Sequence, residues 1–193
     1  MKSIAILSSI FVAFTAPSQS AADHNNWKLT IEAHAPRSLV IHTKGTTPKT
    51  VMCVLFDVKN ETGAGRTITP FIQLTTDTKQ TVAAGYNPAA HELLKLHGKS
   101  DLADLYELAG GIEDGATKKC LAVFEGVDPL ANHYTFHFQG FASPLHRAGK
   151  DFNQQTVVYR GTFWRIGNEY QVCSSKVVNE SSEWATIDSK KIR

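Results

Sequence analysis

Hydrophobic and polar residues alternate with a period of two along most of the chain, and this pattern predicts β-strands. The first such segment, residues 27–32, places Trp27, Leu29 and Ile31 on one face. Residues 51–58 are apolar on both faces, as expected of a central strand that is covered on both sides. The strands predicted in this way are residues 27–32, 38–42, 51–58, 66–76, 119–125, 134–138, 156–166 and 170–173, with a last short strand around Trp184.

Two turn signals refine this pattern. Pro70 lacks the backbone N–H that a sheet ladder uses, so segment 66–76 is predicted to lie at a sheet edge or to carry a bulge. Gly167-Asn168 stands between two runs rich in aromatic and β-branched residues, which predicts a two-residue hairpin.

A different period begins at Asn87 and predicts a helical insert over residues 87–111. Asn87 can cap a first helix that starts at Pro88 and ends before Gly98, and Ser100 can cap a second that is closed by Gly110-Gly111. The leucines of the insert are predicted to cover an end or a face of the sheet structure. The alternative is a partner-binding helix, which exposed leucines would indicate. The leucines expected to be buried are Leu93, Leu96, Leu102 and Leu105.

Eight or nine strands at short spacing, interrupted by one helical segment, predict a mainly β fold. Its expected form is an immunoglobulin-like antiparallel β-sandwich with a short two-helix insertion. Residues 1–22 have the three parts of a secretory signal peptide: the charged Lys2, an apolar stretch from 4 to 16, and the small residues 20–22. Residues 23–193 are then expected to form one domain, exported to the periplasm or secreted.

The charge of the chain argues against a nucleic-acid partner, and its hydropathy argues against a membrane-spanning helix. The formal net charge is +2, from 20 basic and 18 acidic residues, and basic residues cluster only weakly, at Lys118-Lys119 and Lys190-Lys191. This charge does not indicate a nucleic-acid partner. No segment after residue 22 has the roughly 20 apolar residues of a membrane-spanning helix, so no membrane span is predicted.

The chain contains three cysteines, Cys53, Cys120 and Cys173. An odd number in an oxidising compartment is consistent with one disulfide and one free thiol, and three pairings are possible. All three cysteines can also be small buried hydrophobic residues. If segments 51–58 and 119–125 are adjacent antiparallel strands, Cys53 and Cys120 face each other, and we predict this pairing with Cys173 free.

No catalytic, cofactor-binding or metal-binding constellation is predicted. The chain has no Gly-x-Ser-x-Gly elbow, no Ser-x-x-Lys motif and no phosphate-binding loop. His133 and His137 are four residues apart, but on a strand this separation is about 13 Å, too far for one metal ion. Two segments, Asn60-Glu-Thr62 and Asn179-Glu-Ser181, match the pattern for N-glycosylation.

From residue 54 to about residue 187, the order of features resembles a group of uncharacterised exported immunoglobulin-like proteins, hypothetical proteins of planctomycete-type bacteria. The matching features are Asn60-Glu-Thr-Gly63, Leu74-Thr-Thr-Asp-Thr78, the leucine-bearing insert before Gly111-Ile112, Val123-Phe124, Asp128-Pro129, Gly140-Phe141, Gly167-Asn-Glu-Tyr170 and Trp184. The chain departs from the group at Asn168, where Asp is expected, at Phe141, where Leu is expected, and in its cysteines. The resemblance implies the fold and export, and no catalytic residue.

Two hypotheses about function lead, and a hydrolase whose active site is dispersed over loops is a third, less favoured alternative. The first is a non-catalytic binding or structural protein of the cell envelope, which presents an immunoglobulin-like surface to a protein or polymer partner. Its candidate partner surface is Tyr134, Phe136, Phe138 and Trp164. The alternative is a periplasmic carrier of a small ligand or metal, with His42, His133 or His137 converging from neighbouring strands, which lie only about 5 Å apart.

Overall fold

The computed structural model describes residues 27–42, 45, 47–99, 101–143, 155–166 and 176–188. The predicted signal peptide, the Gly167-Asn168 hairpin, the predicted strand 170–173 and Cys173 lie outside these residues. Within them the chain is mainly β, as predicted, with two helices. The strands are β1 (Thr30–Ala33), β2 (Arg37–Ile41), β3 (Lys49–Lys59), β4 (Arg66–Ile68), β5 (Phe71–Thr76), β6 (Thr81–Ala83), β7 (Leu102–Ala103), β8 (Gly110–Ile112), β9 (Thr117–Glu125), β10 (His133–Gln139), β11 (Gln155–Ile166) and β12 (Lys176–Asp188).

The described strands form two five-stranded sheets and one strand pair. In the first sheet β3 lies between β9 and an edge made of β1 and β2, and β7 adds to the far side of β9. The second sheet has the order β12-β11-β10-β5-β6, and β4 pairs with β8. All pairs are antiparallel except β7 with β9. The predicted central position of residues 51–58 is therefore confirmed.

The two large sheets pack against each other through a core of aromatic rings. Phe56 of the first sheet meets Phe138 of the second with ring centroids 5.1 Å apart, and Phe124 meets Phe136 at 5.4 Å. All four side chains are fully buried. Burial of a side chain of this size stabilises the fold by about 1.5 to 3 kcal/mol. We call the sheet faces that contribute to this core the inner faces, and the opposite sheet faces the outer faces.

Pro70 ends one strand and separates it from the next. The prediction of a single strand over 66–76 was wrong, because β4 and β5 flank Thr69-Pro70 and belong to different sheets. The missing N–H of Pro70 explains the break. The last strand was also predicted too short, since β12 extends from Lys176 to Asp188 and pairs with the whole of β11.

The helical insert is only partly as predicted. Helix α1 (Pro88–Leu96) starts as expected: the Asn87 side chain accepts a hydrogen bond from the Ala90 N–H over 2.9 Å. The second helix was predicted to start at Ser100, but α2 (Leu105–Leu108) is capped by Asp104, which forms a capping box with Glu107.

The leucines of the insert differ in burial, contrary to the prediction that four would be buried. Leu102 is buried but lies in β7 and not in a helix, while Leu93 and Leu105 are only half-buried. Leu96 is 82% exposed. Helix α1 covers the outer face of the first sheet through Ala90 and Leu94, which pack against a cluster that includes Val51 and Leu121.

Candidate functional site

The predicted partner surface divides between the two faces of the second sheet. Tyr134, Phe136 and Phe138 are buried on its inner face, so their assignment to a partner surface was wrong. Trp164 lies on the outer face and is 47% exposed. Alternation along a strand places the aromatic residues on one face and the polar residues on the other. It does not show which of the two faces packs in the core.

Trp164 belongs to a cluster at one end of the outer face. His133 lies directly opposite on β10, and the two rings are parallel with centroids 5.6 Å apart. The His133 Nδ1 is 3.5 Å from the Asp77 carboxylate. Partial burial favours the neutral form of Asp77, but hydrogen bonds from the backbone of Asn132 and His133 outweigh it and hold the pKa of Asp77 below its usual range. The Asp77 carboxylate therefore fixes the start of β10 beside the tryptophan.

Polar side chains, all but Arg160 uncharged at neutral pH, continue this face away from Trp164. Thr135 stands between Thr75 and Thr162 on the neighbouring strands, and His137 stands between Gln73 and Arg160. We call the outer-face side chains Gln73, Thr75, His133, Thr135, His137, Arg160, Thr162 and Trp164 the polar face. Arg160 is ion-paired with Glu183 of β12.

His137 is held neutral within the polar face. Its Nε2 is 3.3 Å from the Thr75 hydroxyl, and its buried Nδ1 has no hydrogen-bond partner among the described residues. Burial, helped by the nearby charge of Arg160, lowers the pKa of His137. This imidazole therefore supplies hydrogen-bonding atoms and no positive charge at neutral pH.

The histidines suggested for a small-ligand or metal carrier do not converge in the described part of the chain. His133 and His137 share the outer face of β10, whereas His42 follows β2 in the first sheet. No group of three or more His, Cys, Asp or Glu side chains with the spacing of a metal site occurs among these residues.

A cleft of about 240 Å³ opens between the two sheets at the end where β3 begins and β11 ends. The first sheet contributes Ser38, Thr50 and Met52, and the second contributes Tyr134 and Arg165. The loop between β9 and β10 closes one side; its lining residues are Val127, Asp128 and Pro129. We call this cavity the end cleft. The sequence does not indicate this cleft, because neither Asp128 nor Arg165 belongs to a recognisable motif.

A second cleft lies on the outer face of the first sheet and carries paired charges. Lys119 binds Asp101 over 2.9 Å, and His34 is 3.9 Å from Asp57. Cys120 also borders this cleft, but its side chain belongs to the inner core with Phe56. Burial, opposed by Lys118 and assisted by Asp57, raises the pKa of its thiol to about 12. The thiol is therefore protonated at neutral pH and is not an activated nucleophile.

The predicted Cys53–Cys120 disulfide is wrong, although its premise is confirmed. Strands β3 and β9 are adjacent and antiparallel, but Cys53 pairs with Val123 and Cys120 pairs with Phe56. This offset of three residues places the two side chains on opposite faces of the sheet. Both thiols are free and buried.

Neither helix in the described part of the chain has the length and apolar character that crossing a membrane requires. Comparison of the chain with protein-family models, with curated proteins and with solved structures found no match.

Proposed function

We propose that the protein is an exported, non-catalytic binding protein of the cell envelope that presents the polar face to a polymer or protein partner. The observation that carries the proposal is Trp164, whose large side chain is 47% exposed beside the parallel ring of His133. Burial of a tryptophan side chain in the core stabilises a fold. A tryptophan that is about half exposed to solvent is therefore typical of a binding surface.

Within this class, the chemistry of the polar face favours a polymer of sugar rings. The carbon-bound hydrogens of a sugar ring pack against a flat aromatic ring, and its hydroxyl groups exchange hydrogen bonds with polar side chains. Thr75, Thr135 and Thr162 form a row of hydroxyl groups across three strands, next to the Trp164–His133 pair. Because Glu183 compensates Arg160 and His137 is neutral, the face suits an uncharged partner better than an acidic one.

The immunoglobulin-like form of the packed sheets is part of the same proposal. The Tyr134 hydroxyl donates a hydrogen bond to the Ala131 carbonyl over 2.7 Å, at the start of β10. A tyrosine that bonds the backbone a few residues upstream is a feature of immunoglobulin-like domains, in which it is called the tyrosine corner. Export is supported by the signal-like pattern of residues 1–22.

Sedimentation with insoluble polymers tests the proposed surface. Purified protein is mixed with cellulose, chitin or cell-wall sacculi, and the fraction that sediments with each polymer is measured. Trp164→Ala is expected to weaken binding about tenfold, because a stacked aromatic contact contributes on the order of 1 kcal/mol beyond its buried area.

Tyr106→Ala is the matched control. Tyr106 is 76% exposed on α2, which packs on β7 and β9 of the first sheet, whereas the polar face belongs to the second, so its removal is expected to leave binding unchanged. Loss of binding in the Tyr106 variant alone would move the partner surface to the insert. If no polymer retains the wild-type chain, crosslinking from a photoreactive residue at position 164 tests for a protein partner.

A further inference from the structure

The end cleft holds a buried cation whose charge no described residue compensates. Arg165 is only 4% exposed. Its Nε and Nη2 donate to the Asn132 side-chain oxygen over 3.3 and 3.1 Å, and Nη2 also donates to the Pro129 carbonyl over 2.9 Å. These acceptors are neutral, and no carboxylate of the described residues lies within the 4.0 Å of an ion pair. A buried guanidinium in this state is costly unless an anion joins it.

Asp128 brings a negative charge to the same cleft. One of its oxygens accepts a hydrogen bond from the Leu130 N–H over 2.9 Å, which fixes the carboxylate in the β9–β10 loop. Asp128 also has no cationic partner within 4.0 Å among the described residues. One cation and one anion therefore line a single cavity without pairing with each other.

We propose that the end cleft binds a small amino carboxylate, such as a free amino acid. In this arrangement the ligand carboxylate pairs with the Arg165 guanidinium, and its ammonium group pairs with Asp128. A simple anion would satisfy Arg165 but meet the charge of Asp128, and a simple amine would do the reverse. Only a ligand that carries both charges compensates both side chains.

The size and walls of the cleft limit the ligand further. Its volume of about 240 Å³ lies below the roughly 300 to 1,000 Å³ of pockets for drug-sized molecules, so the ligand is small. Met52, Val127 and Pro129 provide an apolar wall for a short aliphatic side chain, and Ser38 and Thr50 provide hydroxyl groups. Alanine, serine and valine have these properties.

Titration calorimetry on the full chain tests the proposal with three matched probes. Alanine carries both charges, propionate lacks the ammonium group, and ethylamine lacks the carboxylate. Wild-type protein is expected to bind alanine at least about tenfold more tightly than either of the others. Equal affinity for alanine and propionate would overturn the role of Asp128, and equal affinity for alanine and ethylamine would overturn that of Arg165. Absence of alanine, serine and valine binding would overturn the proposal as a whole.

Two variants separate the charges from the fold. Arg165→Gln is expected to abolish alanine binding, but Arg165 also ties β11 to Asn132, so this variant has to be checked for folding. Asp128→Asn keeps an oxygen for the Leu130 N–H and removes only the charge. It is expected to weaken alanine binding about tenfold and to strengthen propionate binding. An Asp128→Asn variant with wild-type preference for alanine over propionate would contradict the proposal.

Discussion

Trp164 and Arg165 are neighbours in β11, and their side chains lie on opposite faces of the second sheet. Trp164 is 47% exposed on the outer face, and Arg165 is 4% exposed on the inner face. Successive residues of a strand alternate in this way, so one dipeptide serves two separate surfaces. The two proposals can therefore be tested independently: Trp164→Ala should leave alanine binding in the end cleft intact, and Asp128→Asn should leave polymer binding intact.

Asn60 connects two turns, and we predict that Asn60→Asp strongly destabilises the fold. Asn60 is fully buried, and its amide group donates to the carbonyls of Ala64 and Ile112 over 2.9 and 2.8 Å. A carboxylate cannot donate either bond and would bring a buried negative charge against two carbonyl oxygens. The expected loss is about 3 to 5 kcal/mol in the free energy of unfolding, measured by urea denaturation.

The second glycosylation-pattern asparagine provides the control for this prediction. Asn179 is exposed, and its side chain bonds only Ser182 among the described residues. Asn179→Asp is therefore expected to change the free energy of unfolding by less than about 0.5 kcal/mol. Equal effects of the two substitutions would contradict the role assigned to Asn60. The two donated bonds also mean that Asn60 is not accessible for glycosylation in the folded chain.

Gly140 follows β10 in a position that only glycine can occupy, and we predict that Gly140→Ala is among the most damaging single substitutions. Its φ is +83°, and a Cβ there would overlap the backbone carbonyl of Thr69, with the carbonyl carbon only 2.7 Å away. Positive φ alone costs about 1 to 2 kcal/mol, and the backbone overlap adds to it. The expected loss of stability exceeds about 3 kcal/mol, measured as a fall in the denaturation midpoint.

Gly115 separates the two causes of that loss. Its φ is +76°, but a Cβ there would meet nothing within 4 Å. Gly115→Ala is therefore expected to lower the free energy of unfolding only by the strain of a positive φ, about 1 to 2 kcal/mol. If the two variants were equally stable, the close approach between Gly140 and the Thr69 carbonyl would not be a constraint.

The strand pattern and the start of the first helix could be predicted from local chemistry alone. Continuous apolar runs identified β3 and β9, alternation identified β10, and Asn87-Pro88 marked the start of α1. The segment after α1 could not be predicted in this way. Its leucines fit a helical period, yet Leu102 pairs with Lys119 of β9 in a parallel strand, and this choice depends on a sheet edge far away in sequence.

The functional residues were harder to predict, because burial is a property of the whole fold. The sequence allows a partner surface made of Tyr134, Phe136 and Phe138. All three are instead buried in the core between the two sheets. Arg165 shows the opposite error: an arginine in an alternating strand is normally assigned to the solvent-facing side, but Arg165 is buried. The strand pattern itself held one clue: Arg165 shares the face of Phe163 and Tyr159, which are core residues.

The buried thiols of Cys53 and Cys120 predict that the folded chain loses stability at alkaline pH. Burial raises the pKa of both Cys53 and Cys120 to about 12, from an ordinary value of 9.0. The unfolded chain therefore releases these protons near pH 9 while the folded chain keeps them. Their contribution to stability is fully present below pH 9 and is lost as the pH rises towards 12. Each thiol is expected to lower the free energy of unfolding by up to about 1.4 kcal/mol per pH unit in this range.

Urea denaturation at several pH values between about 9 and 10 measures this slope. Tyrosine side chains begin to ionise in the same interval, so the part of the slope that belongs to the thiols is read from the difference between the wild-type chain and the cysteine variants. Cys53→Ala and Cys120→Ala each remove one ionising thiol. Because about half of the unfolded thiols are ionised at pH 9 and about nine-tenths at pH 10, each substitution should reduce the average slope by about 1 kcal/mol per pH unit, whatever the variant loses in stability at neutral pH. The same burial should protect both thiols from alkylation in the folded chain, which peptide mass spectrometry detects at each position. Rapid native-state alkylation of Cys53 or Cys120, or slopes that the substitutions leave unchanged, would show that these side chains reach solvent.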